Sequence, residues 1–416
     1  MATLILHASQ VLTMAGPEGP RAGREKGSLG LLRDGAVLVA DGRIVAAGPS
    51  ARVLAHPAAV GARRISAKGG VVAPGFVDAH THPLFAAPRL DDFEARIAGA
   101  TYADLAARGG GILWTVNGVR GASEADLAAG LRRRVDDFLA CGTTTIEAKS
   151  GYGLDLEGEL KMLRALKTVS ERGPLEVVPT LLGAHAVPPE LRGRKAEYVE
   201  RVCAEMIPRA AAEGLARFVD IFCEDGYFDL ADLERVAAAA EKAGLPLKVH
   251  SEQLSRMGSL LAAVRRKAVS VDHLDHASEA DFTALAVSRT VACLVPGSNY
   301  FLAKPYPPAR RLLDAGAAVA LATDFNPGTC PCWDMRTIVS IASTQMKMAP
   351  AEALVSATIN GAHAAGLGAT HGSLEAGKVA DLVCHEAEDW REIAYYFGAP
   401  KVRWTMKRGE IVHGAA

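Results

Sequence analysis

The chain has 416 residues, 49% of them hydrophobic, with 46 Lys and Arg against 47 Asp and Glu and a net charge of −1. That length suffices for one large folded domain and a smaller one, and the composition is globular rather than disordered. Balanced charge excludes the basic excess that nucleic acid or an anionic membrane demands of a partner.

The opening MATLILHASQVLTMAG has neither a basic segment nor a long apolar core, so no secretory signal and no membrane span are expected. The first seventy residues read as short strands and turns. GAVLVADGRIVAAG (35–48) alternates around an Asp-Gly turn, as a hairpin does. The C-terminal tail reads similarly in GKVADLVCHEA and VRWTMKRGEIVHG. GRIVAAG (42–48) and GEIVHG (409–414) suggest two like strands of one small sheet. Together these segments predict a small β-sandwich-like domain built from both chain ends, 1–70 and 372–416.

Between them, in 71–371, apolar β-branched runs alternate with amphipathic stretches, the mark of successive βα units. Eight runs are present: GVVAPGFVDAHTH, GTTTIEAKSGYG, LEVVPTLLGAHA, ARFVDIFCEDG, LPLKVHSEQ, AVSVDHLDH, TVACLVPGSNY and AAVALATDFNPG. DLEGELKMLRALKTVSERG, RKAEYVERVCAEMIPRAAAEG and DLADLERVAAAAEKAG read as helices among them, each ending at glycine. Eight such units predict an α/β fold, a (β/α)₈ TIM-type barrel. A doubly wound open sheet would want a Gly-rich phosphate loop after its first strand, and DAHTHPLF is not one.

In such a barrel the last residues of each run line the active face. His80 and His82 are two apart, so on an extended strand both project to one side and can turn toward one cation. His185, His250 and His273 also fall at run ends, making five of the 12 histidines. His80, His82, His250 and Asp324, on the first, fifth and eighth runs, offer three nitrogens and one oxygen. That set suits Zn²⁺ or Fe²⁺ better than Mg²⁺ or Ca²⁺. Taken singly, each histidine is better read as structural; taken as a set, they read as a metal site. Lys149 is read as an ion-pair or substrate-side group rather than as a carboxylated bridge between two metals. The seven cysteines are scattered, which suits reduced thiols in a cytoplasm. Cys330 and Cys332 read as ordinary packing.

The segments PGFVDAHTH, HSEQ (250–253), the TD ending at Asp324, and GSLEAGKVADLV resemble the amidohydrolase superfamily. Within it, PRLDDFEARIAGATYADLAARGGGILWTV, EAKSGYGLDLEGELKML, GAHAVPPE, FCEDGYF, HSEQLS and TDFNPGTCPCWDM are similar to the imidazolonepropionases of histidine degradation. The likeness runs from about Pro74 to Gly377. It implies hydrolysis of the cyclic amide of 4-imidazolone-5-propanoate to N-formimidoyl-L-glutamate, by a cytoplasmic homodimer with one zinc or iron ion (Fe²⁺ or Fe³⁺) per subunit. It also implies substrate contacts from Arg89, Tyr152, His185, Gln253, Asn326, Gly328 and Thr329. Arginine suits a propanoate tail because its planar fork can take a carboxylate bidentately. The chain departs from the family pattern at Ala86-Ala87-Pro88, where a Gly-Gly pair is usual, and at Asp275, where glutamate is usual.

The expected chemistry is attack by an activated water on the ring carbonyl. Asp324 or Glu252 would take its proton, His273 would help hold the oxyanion, and Glu252 would protonate the leaving nitrogen. A ring deaminase of the same superfamily is the rival reading. Many of those place a glutamate three residues after the fifth-strand histidine, where this chain has Gln253. A metal-free binding barrel is the other rival, yet all four ligands are retained.

Overall fold

The computed structural model describes residues 2–101, 104 and 109–415. Positions 102–103 and 105–108 of the ATYADLAARGGG stretch lie outside them. The N-terminal segment forms β1 (Thr3–Leu6), β2 (Gln10–Leu12), β3 (Leu31–Leu32), β4 (Gly35–Ala40), β5 (Arg43–Pro49), β6 (Arg63–Ser66) and β7 (Val71–Pro74). The Asp-Gly turn joins β4 to β5 with both residues at positive φ, 50° and 73°, the backbone a tight two-residue hairpin needs.

Each of the eight apolar runs yields one barrel strand. These are β8 (Phe76–Thr81), β9 (Thr143–Lys149), β10 (Glu176–Ala184), β11 (Phe218–Cys223), β12 (Leu247–Ser251), β13 (Ser270–His273), β14 (Val291–Leu294) and β15 (Val319–Leu321). They pair in parallel and in sequence order from β8 to β15. Most of their residues are buried on both faces, which is why the runs are apolar throughout rather than alternating. The ring closes just past β15. Asp324 N donates to His80 O at 3.0 Å and His82 N to Phe325 O at 2.8 Å. Beneath that seam the Asp78 carboxylate accepts from Thr323 N at 2.9 Å and Thr323 Oγ1 at 2.6 Å, and burial pushes its carboxyl up to about 7.

The helices follow their sequence signals. Asp155 caps Leu156–Arg172 by accepting from Gly158 N, and Gly173 ends it. Asp229 and Asp232 form a capping box on Leu230–Lys242. The stretch 195–212 is a single helical run whose middle, Val202–Met206, winds as a π-turn just before Pro208. A proline that cannot donate backward is accommodated by that wider turn.

The chain's last strands, β16 (Leu382–His385), β17 (Val402–Lys407) and β18 (Glu410–Gly414), join the N-terminal ones. One sheet runs β5-β4-β1-β6 and the other β18-β17-β16-β7-β2-β3. A core of Ile5, Val11, Val37, Ile44, Val72, Leu382, Trp404 and Met406 lies between them. Two expectations are corrected here. GRIVAAG and GEIVHG are the outer strands of different sheets, not neighbours in one. Val71–Pro74 pairs with β2 and β16, so the sandwich extends to Pro74 and the barrel's first strand starts at Phe76 rather than near 71. The two segments form one apolar run broken only by Gly75, so no turn signal marked the change of sheet. The sandwich abuts the barrel's underside, where a Cβ on Gly142 would meet Val383 Cγ2 at 2.8 Å. Among the described residues no helix is long and apolar enough to cross a membrane.

Candidate active site

Three imidazoles converge at the C-terminal rim of the barrel. Ligand atoms of His80, His82 and His250 all lie within 4.8 Å of one another. His80 Nδ1 donates to Asp272 Oδ2 at 2.6 Å, which leaves its Nε2 bare. His82 Nε2 faces that bare nitrogen at 3.3 Å. Two ring nitrogens this close share either a proton or a cation, and a tetrahedral site with M–N near 2.0–2.1 Å has an N···N edge of about 3.3 Å. Asp324 Oδ1 sits 3.7 Å from both Nε2 atoms and completes the set. Burial, reinforced by Lys149, His250 and the other histidines, holds the His80 imidazole well below its usual pKa and so neutral, the form a metal ligand requires. The residues therefore fit the divalent cation that the donor set implies.

Behind the ligands lies a buried charged hub. Lys149 Nζ is 2.8 Å from Glu147 Oε1, 2.8 Å from Asp220 Oδ2 and 3.6 Å from Asp272 Oδ2, all with fully buried side chains. Asp220 Oδ2 is in turn 3.0 Å from His250 Nδ1. One ammonium thus holds both carboxylates that face the outer nitrogens of His80 and His250. Burial opposes its charge, but Asp220, Glu147 and Asp272 outweigh that and raise the Lys149 pKa above its usual value. The same Lys149 and His250 hold the Asp220 carboxyl well below the usual range against its burial. Lys248 Nζ, bonded to Ala79 O at 3.0 Å and Ala364 O at 3.2 Å, lies 3.9 Å from Glu147. Lys149 is the ion-pair residue expected, with the ammonium engaged on three carboxylates rather than bridging metals.

His273, Tyr152 and His185 ring the histidine cluster. His273 packs 5.3 Å from His80 and 5.2 Å from His250 between ring centroids, and its Nδ1 is buried with no hydrogen-bond partner. His185 stacks on His82 at 5.4 Å and donates from Nδ1 to Gly151 O at 2.9 Å, so its Nε2 is an acceptor. Tyr152 packs 6.0 Å from His82 and 5.6 Å from His185. Glu252, His273 and Asp324 have φ of 54°, 81° and 55°. Left-handed backbone at three strand ends is the kind of local strain that functional sites retain.

Other expected residues play different parts. Glu252 is fully buried. It accepts from Met257 N at 2.9 Å, Gly258 N at 2.9 Å, Ser259 Oγ at 3.0 Å and Leu260 N at 3.3 Å. Those donors engage both oxygens that the expected proton-shuttle role would use. Glu252 has a positive φ of 54°, and both its oxygens bond the residues that start helix Ser259–Arg265. Gln253 N donates to the Glu224 carboxylate, which also accepts from Ser255 N at 3.2 Å and so holds this loop. Asn326 Oδ1 accepts from Gly328 N at 2.9 Å and Thr329 N at 2.7 Å, and its Nδ2 donates to Asp324 O at 2.6 Å and Thr329 Oγ1 at 2.8 Å. The amides of Gly328 and Thr329, two of the residues expected to contact substrate, are satisfied inside the NPGT turn, which stiffens the segment carrying Asp324. Gly328 has a clear reason to be glycine, since a Cβ there would run into the Arg89 guanidinium. Arg89 itself is 9% exposed and only loosely paired, with Asp92 Oδ2 at 3.9 Å. Asp275 accepts from Asn299 Nδ2 at 2.6 Å and is pushed up to about 6 by burial.

Asp220 is a functional residue that the sequence did not single out. Its signal was a lone acid in the otherwise apolar run FVDIFC, since buried carboxylates are rare unless paired.

A parallel eight-stranded barrel with a histidine–aspartate centre at its C-terminal rim defines a metal-dependent hydrolase class. A model of the amidohydrolase family matches residues 71–412. An imidazolonepropionase from Symbiobacterium thermophilum is 45% identical over 412 residues, covering 98% of this chain and 96% of that one. Another, from Solibacter usitatus, is 43% identical over 410 residues and covers 98% of each chain. The crystal structure of a zinc-bound adenosine deaminase from Xanthomonas campestris matches with a TM-score of 0.73 over 99% of this chain and 93% of its own. Its identity is 22%, a likeness of fold. The chain belongs to the amidohydrolase family, in the group formed by its imidazolonepropionase relatives.

Proposed function

We propose that the protein hydrolyses the cyclic amide of 4-imidazolone-5-propanoate to N-formimidoyl-L-glutamate, with one zinc or iron ion per chain held by His80, His82, His250 and Asp324. The observation that carries the reaction type is the three-imidazole cluster joined by Asp324 at the barrel rim. A divalent cation there supplies a water acidic enough to ionise near neutral pH and a Lewis acid for the ring carbonyl. Asp324 would take a proton from the attacking water and pass it to the ring nitrogen as the C–N bond opens. His273 faces the same centre and donates to the developing oxyanion. Tyr152 and the Nε2 of His185 orient the ring, and Arg89 receives the propanoate. The Asp324 carboxyl, pushed up to about 7 by burial in the bare site, is one that a bound dication would draw down.

The substrate assignment leans on relatives that share this architecture across nearly the whole chain. A homodimer is part of the same reading. The test is direct: zinc-loaded protein is given 4-imidazolone-5-propanoate, and loss of the ring absorbance is followed alongside product analysis. Stoichiometric N-formimidoyl-L-glutamate is the expected result. Release of ammonia from ring amines, with the imidazolone left intact, would replace this reading with deamination.

A further inference from the structure

Arg89 does not stand alone at the edge of the site. Arg96 lies seven residues on, in the helix Leu90–Ile97 that Arg89 precedes, and both guanidiniums reach Gly328. Arg96 Nη2 donates to Gly328 O at 3.0 Å, against the same glycine that leaves room for the Arg89 guanidinium. Phe301 packs beneath it, with Cζ 5.6 Å from the ring centroid.

Both guanidiniums hold unspent donors. Arg89 Nε and Arg96 Nη1 are buried without a hydrogen-bond partner among the described residues. Among the described residues, Asp92 is the one acidic group within salt-bridge distance of either, 3.9 Å from Arg89 Nη1. That carboxylate is already bonded to Gly111 N at 2.8 Å. Two positive groups share one distant, occupied anion, so the pair keeps an uncompensated charge in a secluded place. Burial, and then the proximity of Arg89, lowers the Arg96 pKa, as expected for two like charges left close together. An unpaired buried donor is costly, and a cation pair more so, unless a ligand repays it. The Arg89 charge is felt at the His185 imidazole, which stacks on His82 at 5.4 Å, so this seat lies beside the reacting centre.

We propose that Arg96 is a second anchor for the substrate's tail, forming with Arg89 a two-arginine seat that admits one carboxylate and discriminates against a neutral tail. The proposal deepens the substrate reading given above and rests on it for the identity of the tail. It makes Arg96 a specificity-determining residue, one to which the sequence resemblance assigned no role. The i, i+7 spacing was the signal in the sequence.

The experiment uses zinc-loaded full-length protein, the variants Arg96→Met and Arg96→Lys, and two substrates, 4-imidazolone-5-propanoate and its propanamide analogue. Binding of 3-(imidazol-4-yl)propanoate, which has no cyclic amide to open, is measured by calorimetry alongside. For the carboxylate substrate, Arg96→Met should raise KM about tenfold or more, the usual scale of a lost charge-assisted bond, with kcat within about twofold. Arg96→Lys should recover part of the loss, and the propanamide should be turned over equally by parent and variant. Equal damage to both substrates would show that Arg96 only props up Gly328, and no damage to either would also overturn the anchor. If the parent hydrolyses neither substrate yet Arg96→Met loses affinity for imidazolepropanoate, the anchor stands and the assigned reaction falls. If the parent does not bind imidazolepropanoate at all, the anchor falls.

Discussion

Lys149 shows how one buried charge can govern a centre it never touches. Its ammonium is shared by Glu147, Asp220 and Asp272, and the last two face the outer nitrogens of His250 and His80. Replacing it by methionine would leave three buried carboxylates without their common partner. Breaking such a set costs about 3–5 kcal/mol. The carboxylates would then repel, and the two imidazoles would lose their fixed orientation. Arrangements of this kind behind metal ligands are worth about 10–100-fold in metal affinity. Lys149→Met should therefore lower the unfolding midpoint and weaken zinc binding by that factor in a chelator competition. Zinc affinity equal to the parent's would show that the hub serves folding alone. The lysine could be found in EAKSGYG as a charged residue in a buried strand. Its pairing with Glu147, two residues away on β9, could be found in the same stretch, but its pairing with Asp220 and Asp272 could not, because they come from β11 and β13 and meet it only in the folded barrel.

The barrel strands were legible because both of their faces are buried, which makes each run apolar and β-branched over its length. Their ends were only partly so. His80, His82 and His250 follow the period of two and project as that period requires. Glu252 sits in the same kind of position but has φ 54°, and its carboxylate bonds residues 257–260. A left-handed residue other than glycine carries no clear mark in sequence. The turn after β12 then depends on this carboxylate, which takes donors from 257 through 260 and starts helix Ser259–Arg265. Glu252→Gln would offer an NH₂ where the structure needs an acceptor, at a cost of about 1–3 kcal/mol. It should lower the denaturation midpoint while turnover stays within about threefold of the parent's. Turnover slowed by about a hundredfold or more, at unchanged stability, would return Glu252 to the proton path. The NPGT turn teaches the same lesson, since its amides looked available in sequence but are spent on Asn326.

Taken whole, the molecule is a barrel whose chemistry is confined to one rim and a sandwich that closes the opposite side. Both chain ends enter the sandwich, where β16 from the C-terminus pairs with β7 from the N-terminal segment, and β7 leads through Gly75 into β8. The strand that carries His80 is thus fastened at its start by residues more than 300 positions away, as in the bond from Gly75 N to Asp381 O. That coupling was invisible in the likeness of GRIVAAG to GEIVHG, which placed the right segments in the sandwich but in the wrong sheets. The central claim is that one cation on His80, His82, His250 and Asp324 drives hydrolysis of the imidazolone. It is tested most directly by stripping the protein of metal and adding zinc back in steps while the rate of 4-imidazolone-5-propanoate hydrolysis is read. The rate should rise from near zero in proportion to zinc and level off at one equivalent per chain. Full activity before any zinc is added, or a plateau reached only at two equivalents, would contradict the account.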